Sequence, residues 1–139
     1  MLMYAPICGM PTTPIRVLVT DDERSIRAVV RLTLKSHADI IIVAEAHNGH
    51  KAVNLALAHA PDVIVMDYEM PGLDGIKATA KIRHVLPTTK VVMFSASHTQ
   101  QAIDAAFAAG ATAFLGKDAS HELAPAIRAV VNGRSFVSG

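Results

Sequence analysis

Five polar side chains in this sequence have types and neighbours that suit chemistry: Asp21, Asp22, Asp67, Ser95 and Lys117. Each ends or follows a short apolar run. The aspartate pair comes after Ile15 to Thr20, Asp67 after Val63 to Met66, Ser95 after Val91 to Phe94, and Lys117 just beyond Ala113 to Leu115. If the runs are parallel strands, all five residues meet at the carboxyl edge of one sheet, where open α/β sheets bind ligands. Ionised, the three carboxylates carry −3, and Lys117 brings the sum to −2, which one divalent cation would balance. Without it, two carboxylates about 4 Å apart repel by about 4 kcal/mol at a surface-like dielectric, enough to raise a carboxyl pKa. Magnesium suits such a set, because it takes hard oxygen donors and is commonly held by one or two carboxylates plus phosphate oxygens. A carboxylate nucleophile, a cation, a lysine and a hydroxyl are together the equipment of phosphoryl transfer.

Singly, each residue has a plainer reading. Asp21 or Asp22 suits an N-cap of the following helix, which needs only one of them. Asp67 and Ser95 suit turns, and Lys117 suits a solvated surface. Their convergence on one edge favours the chemical reading.

The elements that must position them are legible. The runs Ile15 to Thr20, Ile40 to Val43, Val63 to Met66, Val91 to Phe94 and Ala113 to Leu115 are apolar on both faces, so they read as strands of a parallel sheet covered on both sides. Between them lie helices at about 23–36, 49–60, 75–84 and 99–109, with a fifth after Ser120 that stops at Gly133. In the first helix Ile26, Val29, Val30 and Leu34 form the apolar stripe, with Arg24, Arg27, Arg31 and Lys35 elsewhere. Pro61, Pro87 and Gly110 supply stops. Pro125 falls within the second turn of the fifth helix, so a later or kinked start is expected there.

With 139 residues, 51% of them hydrophobic, the chain is expected to form one core, with residues 1–14 as a flexible extension of a domain at 15–139. A net charge of +1 gives no electrostatic reason to expect direct nucleic-acid binding. One cysteine, Cys8, makes no internal disulfide, and no stretch resembles a signal peptide or a membrane span, so a reduced, cytoplasmic setting is expected. The seven histidines include no His-Glu-x-x-His pattern, and His47 and His50 flank a turn, so no dedicated zinc site is expected. His59 and His84 lie near helix ends, where they favour the carboxyl terminus.

In combination the motifs resemble the receiver domain of bacterial two-component response regulators over about Ile15 to Ser138. They are Ile15-Arg16-Val17-Leu18-Val19-Thr20-Asp21-Asp22-Glu23, Pro61 through Asp67 with Met70-Pro71-Gly72-Leu73-Asp74-Gly75, Ser95-Ala96, and Gly110-Ala111 through Lys117. Lys117-Asp118-Ala119-Ser120, Ala126 to Val130 and Gly133 to Ser138 resemble the NarL/LuxR-like transcription-regulator group. The resemblance implies a flavodoxin-like (βα)5 doubly wound sheet of order 2-1-3-4-5 and a phosphorylation-dependent switch rather than a metabolic enzyme. It implies that Asp67 accepts a phosphoryl group from a sensor histidine kinase. Asp22, Asp67 and the backbone carbonyl of Glu69 would hold Mg2+, with Asp21 acting through water. Lys117 would pair with phosphoryl oxygens, and Ser95 and Phe114 would be the switch pair. Glu69 and Ser97 match positions that tune phosphoryl lifetime. A homodimer through helix 4, strand 5 and helix 5 would be the usual pairing, with Pro125 placing its geometry in doubt. The output would be a DNA-binding domain beyond Gly139, with the chain either excised or stand-alone.

This sequence departs from the family's pattern twice at the switch. Phe114 stands where tyrosine is frequent, so it can move inward but lacks a hydroxyl, and it also reads as plain core. Asp118 stands where many receivers have a cis-proline, so a trans bond is expected. Three rivals remain. An aspartate-nucleophile phosphatase of haloacid-dehalogenase type would use Asp67 with Glu69 as general acid, but its motif normally has Asp there, and the chain has no room for a cap domain. A flavodoxin would need a Ser/Thr/Gly-rich phosphate loop where the acid pair stands. The third is a non-phosphorylated interaction module.

Overall fold

The Val- and Ile-rich runs become β1 (Ile15–Thr20), β2 (Ile40–Ala46), β3 (Val63–Asp67), β4 (Lys90–Ser95) and β5 (Ala113–Gly116) in the computed structural model, which describes residues 13–138. They alternate with α1 (Arg24–Lys35), α2 (Gly49–His59), α3 (Gly75–Val85), α4 (Gln100–Ala109) and α5 (Leu123–Val131). Residues 1–12 of the expected extension, Cys8 among them, lie outside the described residues. All strands are parallel, and the order is β2-β1-β3-β4-β5-β6. The expected 2-1-3-4-5 holds, with one addition: β6 (Phe136–Val137) lies along β5, pairing Ala113 with Phe136 and Phe114 with Val137. Two residues carry too little pattern to announce a strand.

Burial on both faces explains the uninterrupted apolar runs. Alternate strand residues Val17, Val19, Val63, Val65, Val92 and Phe94 join α1 and α5 in one layer, through Val30, Leu34, Leu123, Ile127 and Val130. Leu18, Ile64, Met66, Val91, Met93 and Phe114 join α2, α3 and α4 in the other. There the helices present Ala52, Ala56, Ala78, Ala102 and Ala106, small residues that let helix backbones approach the sheet. Each large side chain so buried contributes about 1.5–3 kcal/mol, which makes the sheet a rigid base for the loops at its carboxyl edge.

Several ends differ from expectation. Asn48, Asp74 and Thr99 cap α2, α3 and α4 by accepting from the amides of Lys51, Lys77 and Ala102, whereas the N-cap of α1, Glu23, makes no side-chain cap bond. The plainer N-cap reading of Asp21 or Asp22 is not met: Asp21 Oδ1 accepts from Glu23 N at 2.9 Å, closing the turn before the helix. The later start expected of the fifth helix because of Pro125 is found. Residues Lys117–Glu122 form a 3-10 segment interrupted at Ala119, and α5 starts only at Leu123. Pro125 is then the third residue of α5, inside the first turn, where no intrahelical partner is lost. No cis peptide occurs among the described residues, as expected for Asp118.

Candidate functional site

Strand order reverses at β1, which lies between β2 and β3, and the crevice there is where the acids collect. Asp21 and Asp22 leave β1, and Asp67 is the last residue of β3. Carboxylate oxygens of the three lie within 4.8 Å of one another; Asp21 and Asp67 are buried and Asp22 is exposed. Lys117, carried past the edge by β5, places Nζ 2.9 Å from Asp21 Oδ2 and 3.0 Å from Asp67 Oδ1. Register brings in the serine: Asp67 pairs with Phe94, and the next residue, Ser95, pairs with Gly116.

Gly75 explains how α3 comes so near. A Cβ there would meet the Asp67 carbonyl oxygen at 1.9 Å, so only glycine lets the helix start against the strand end, and Gly75 N donates to Tyr68 O at 3.0 Å. The loop between carries Glu69, which is exposed, and among the described residues no backbone N–H donates to its carbonyl.

Electrostatics make the cluster needy. Burial, then the charge of Asp21, push the Asp67 carboxyl up to about 7, with Lys117 offsetting part of that. Burial works against the Lys117 charge, but Asp21 and Asp67 outweigh it and hold its pKa above the usual lysine value. Asp67 Oδ2 is buried without a hydrogen-bond partner, and Asp21 Oδ2 meets Lys117 only as an ion pair, with no hydrogen bond aligned on it. Three carboxylates, one ammonium and an orphaned buried oxygen fit a hard divalent cation, the donor set magnesium takes.

The switch candidates lie beside this cluster. Ser95 is fully buried, and its Oγ accepts from Ser97 N at 3.0 Å, which leaves the hydroxyl proton uncommitted. Phe114 is also fully buried, on the face of α3 and α4, with the rings of Tyr68 and His98 edge-on at 6.4 and 5.6 Å.

Two residues emerge here that the sequence did not single out. His98 Nε2 lies 2.9 Å from Ser138 O. A carbonyl only accepts, so Nε2 carries the proton, and the loop after β4 is tied to the residue after β6. Arg27, one of the basic residues placed outside the apolar stripe of α1, is not fully solvated: its side chain is 17% exposed and its NH1 donates to Asp21 O at 2.8 Å. A helical arginine gives no sequence signal for which way it turns.

A family model described as the response regulator receiver domain matches residues 17–128. The chain belongs to the response regulator receiver family. The receiver is 37% identical to the response regulator UvrY of Escherichia coli over 126 residues, covering 89% of this chain and 57% of that one. It is 35% identical to a probable transcriptional regulatory protein NarL of Mycobacterium tuberculosis over 125 residues, covering 89% and 58%. The solved receiver domain of that NarL superposes with a TM-score of 0.84 at 35% identity, covering 88% of this chain and 99% of the other. These relatives are of the NarL/LuxR type, as the motifs after Lys117 implied. The receiver spans 57–58% of the length of these two curated relatives. Receiver domains are signalling proteins, which sets the phosphatase and flavodoxin readings aside.

Proposed function

We propose that Asp67 is the phosphoacceptor of this receiver and that Asp21, Asp22, Ser95 and Lys117 serve the transfer. An oxygen of ionised Asp67 attacks the phosphorus of a phosphohistidine on a sensor kinase. The new bond is carboxylate O–P and the broken one is N–P, and the imidazole leaves with the electron pair and takes up a proton. Asp22, Asp67 and the Glu69 carbonyl would hold Mg2+, with Asp21 contributing through water; bound there, the ion neutralises charge on the phosphoryl oxygens. Lys117 already touches Asp67 Oδ1 and would pair with an incoming phosphoryl oxygen. Ser95 has a proton to donate once that oxygen arrives. The observation that carries the reading is this lysine held between two buried carboxylates, one of which has an oxygen with no partner.

Phosphorylation then biases an equilibrium between two arrangements of the loop after β4, read on the α4, β5 and α5 face by an output domain or a second copy. Phe114 and its two aromatic neighbours are the packing element it would shift. α5 and β6 would form part of that face. The setting is cytoplasmic, the receiver domain comprises residues 15–139, residues 1–14 extend it, and this chain itself makes no direct nucleic-acid or membrane contact.

Intact-mass spectrometry after incubation with magnesium and acetyl phosphate tests the assignment. A gain of one phosphoryl group is expected, absent in Asp67→Asn and without magnesium. No gain from acetyl phosphate or from a phosphohistidine donor would leave the non-phosphorylated interaction module as the reading.

A further inference from the structure

We infer that Arg27 is the positioning residue of the acid pair: it holds the turn that carries Asp21 and Asp22 in the geometry a divalent cation requires. The inference rests on the metal-assisted reading above and deepens it. Arg27 stands one turn into α1 and reaches back, its NH1 donating to the Asp21 carbonyl at 2.8 Å. The guanidinium is fixed from its other side, with Nε 3.4 Å from Glu45 Oε1 on β2. Glu45 is itself held by Arg31, whose NH1 lies 2.7 Å from both carboxylate oxygens. A fork with five donors and one plane can bridge a carbonyl and a carboxylate at once; an ammonium cannot do so with the same geometry.

The carbonyl of Asp21 belongs to the peptide that leads into Asp22, so gripping it fixes the plane from which the Asp22 side chain projects. That matters because Asp22 is exposed, and the described hydrogen bonds and ion pairs include none to its carboxylate. Asp21 has its own restraint in the bond from Glu23 N. Outer-shell partners of this kind typically change metal affinity 10–100-fold when removed.

Charge and positioning predict opposite signs, which makes the role testable. Arg27 brings a positive charge to a cluster that must attract a cation, so deleting it should tighten Mg2+ binding if charge were its only influence. A positioning role predicts weaker binding. The experiment is an NMR titration of the metal-free protein with MgCl2, following the Asp22 and Asp67 amides, on the wild type, Arg27→Gln, Arg27→Lys and Arg24→Gln. Arg24→Gln removes the same charge from the same helix, and Arg24 is exposed and takes no part in the contacts among Arg27, Glu45 and Arg31. Arg27→Gln should raise the Kd about 10-fold or more, Arg27→Lys should raise it despite keeping the charge, and Arg24→Gln should leave it unchanged or slightly lower. Unchanged or tighter binding in Arg27→Gln, or full retention in Arg27→Lys, overturns the inference. A wild type that shows no saturable shift overturns the cation site itself and the role of Arg27 with it.

Discussion

Asp67 is a carboxylate the fold has made reluctant to ionise. Burial comes first, Asp21 second, and together they carry its pKa from 3.8 to about 7. Below the lower value the folded and unfolded chains both hold the proton, and nothing is lost. As pH rises past it, the unfolded chain ionises freely while the folded chain resists until about 7, so the stability this group contributes drains away across that window. In metal-free protein Asp67→Asn should remove that slope and stabilise by about 1–3 kcal/mol near neutral pH, with little effect near pH 4. Urea unfolding in EDTA at both pH values measures the difference, and an equal effect at the two would show that ionisation of Asp67 is not its source. The acids were legible because each stands at the end of an apolar run, where a charge needs a reason. Arg27 was not, because the pattern of a helix tells which residues are apolar and not where a long polar side chain reaches.

At the scale of elements, the loop after β4 and the strand β6 are joined by one side chain. His98 is exposed, yet its Nε2 donates to Ser138 O, while Ser138 N donates to Phe114 O at 3.0 Å and Phe136 N to Thr112 O at 3.1 Å. A single half-buried hydrogen bond contributes about 1 kcal/mol, so it governs local opening rather than global stability. His98→Phe, which keeps a ring beside Phe114 and deletes the donor, should raise amide hydrogen exchange at Phe136 and Ser138 roughly 5-fold and leave β1 and β3 unchanged. Equal protection in both proteins would mean that strand pairing alone holds β6. Helix boundaries were the least legible feature at this scale. The segment Lys117–Glu122 has helical composition but winds as 3-10 with a break at Ala119, and that postponed start is what makes Pro125 harmless. Arg128 fastens the same helix to the loop before β2, its Nε and NH2 donating to Asp39 at 2.7 and 2.8 Å. Hydrogen bonding from Arg128 holds the Asp39 carboxyl below its usual range.

Across the whole molecule, the double-sided burial of a parallel sheet made the fold readable. Val63 to Met66 and Val91 to Phe94 admit no polar alternation, and only a sheet covered on both faces accepts them. The convergence of Asp21, Asp22, Asp67, Ser95 and Lys117 follows from that topology, since every strand points its carboxyl end the same way. What the topology could not announce was how the sheet stops. A five-stranded sheet would end on the bare groups of β5, whereas Thr112 O accepts from Phe136 N of β6, Phe114 O from Ser138 N just after it, and Gly116 N donates to Ser138 Oγ at 3.2 Å. Unpaired backbone on an outer strand is a template for another chain. Removing residues 134–139 should therefore give a protein that self-associates as concentration rises, read by sedimentation velocity, and a truncated form that stays monomeric would show that α4 and α5 already screen the exposed row. Two residues of strand thus determine whether the sheet finishes within its own molecule or continues into the next.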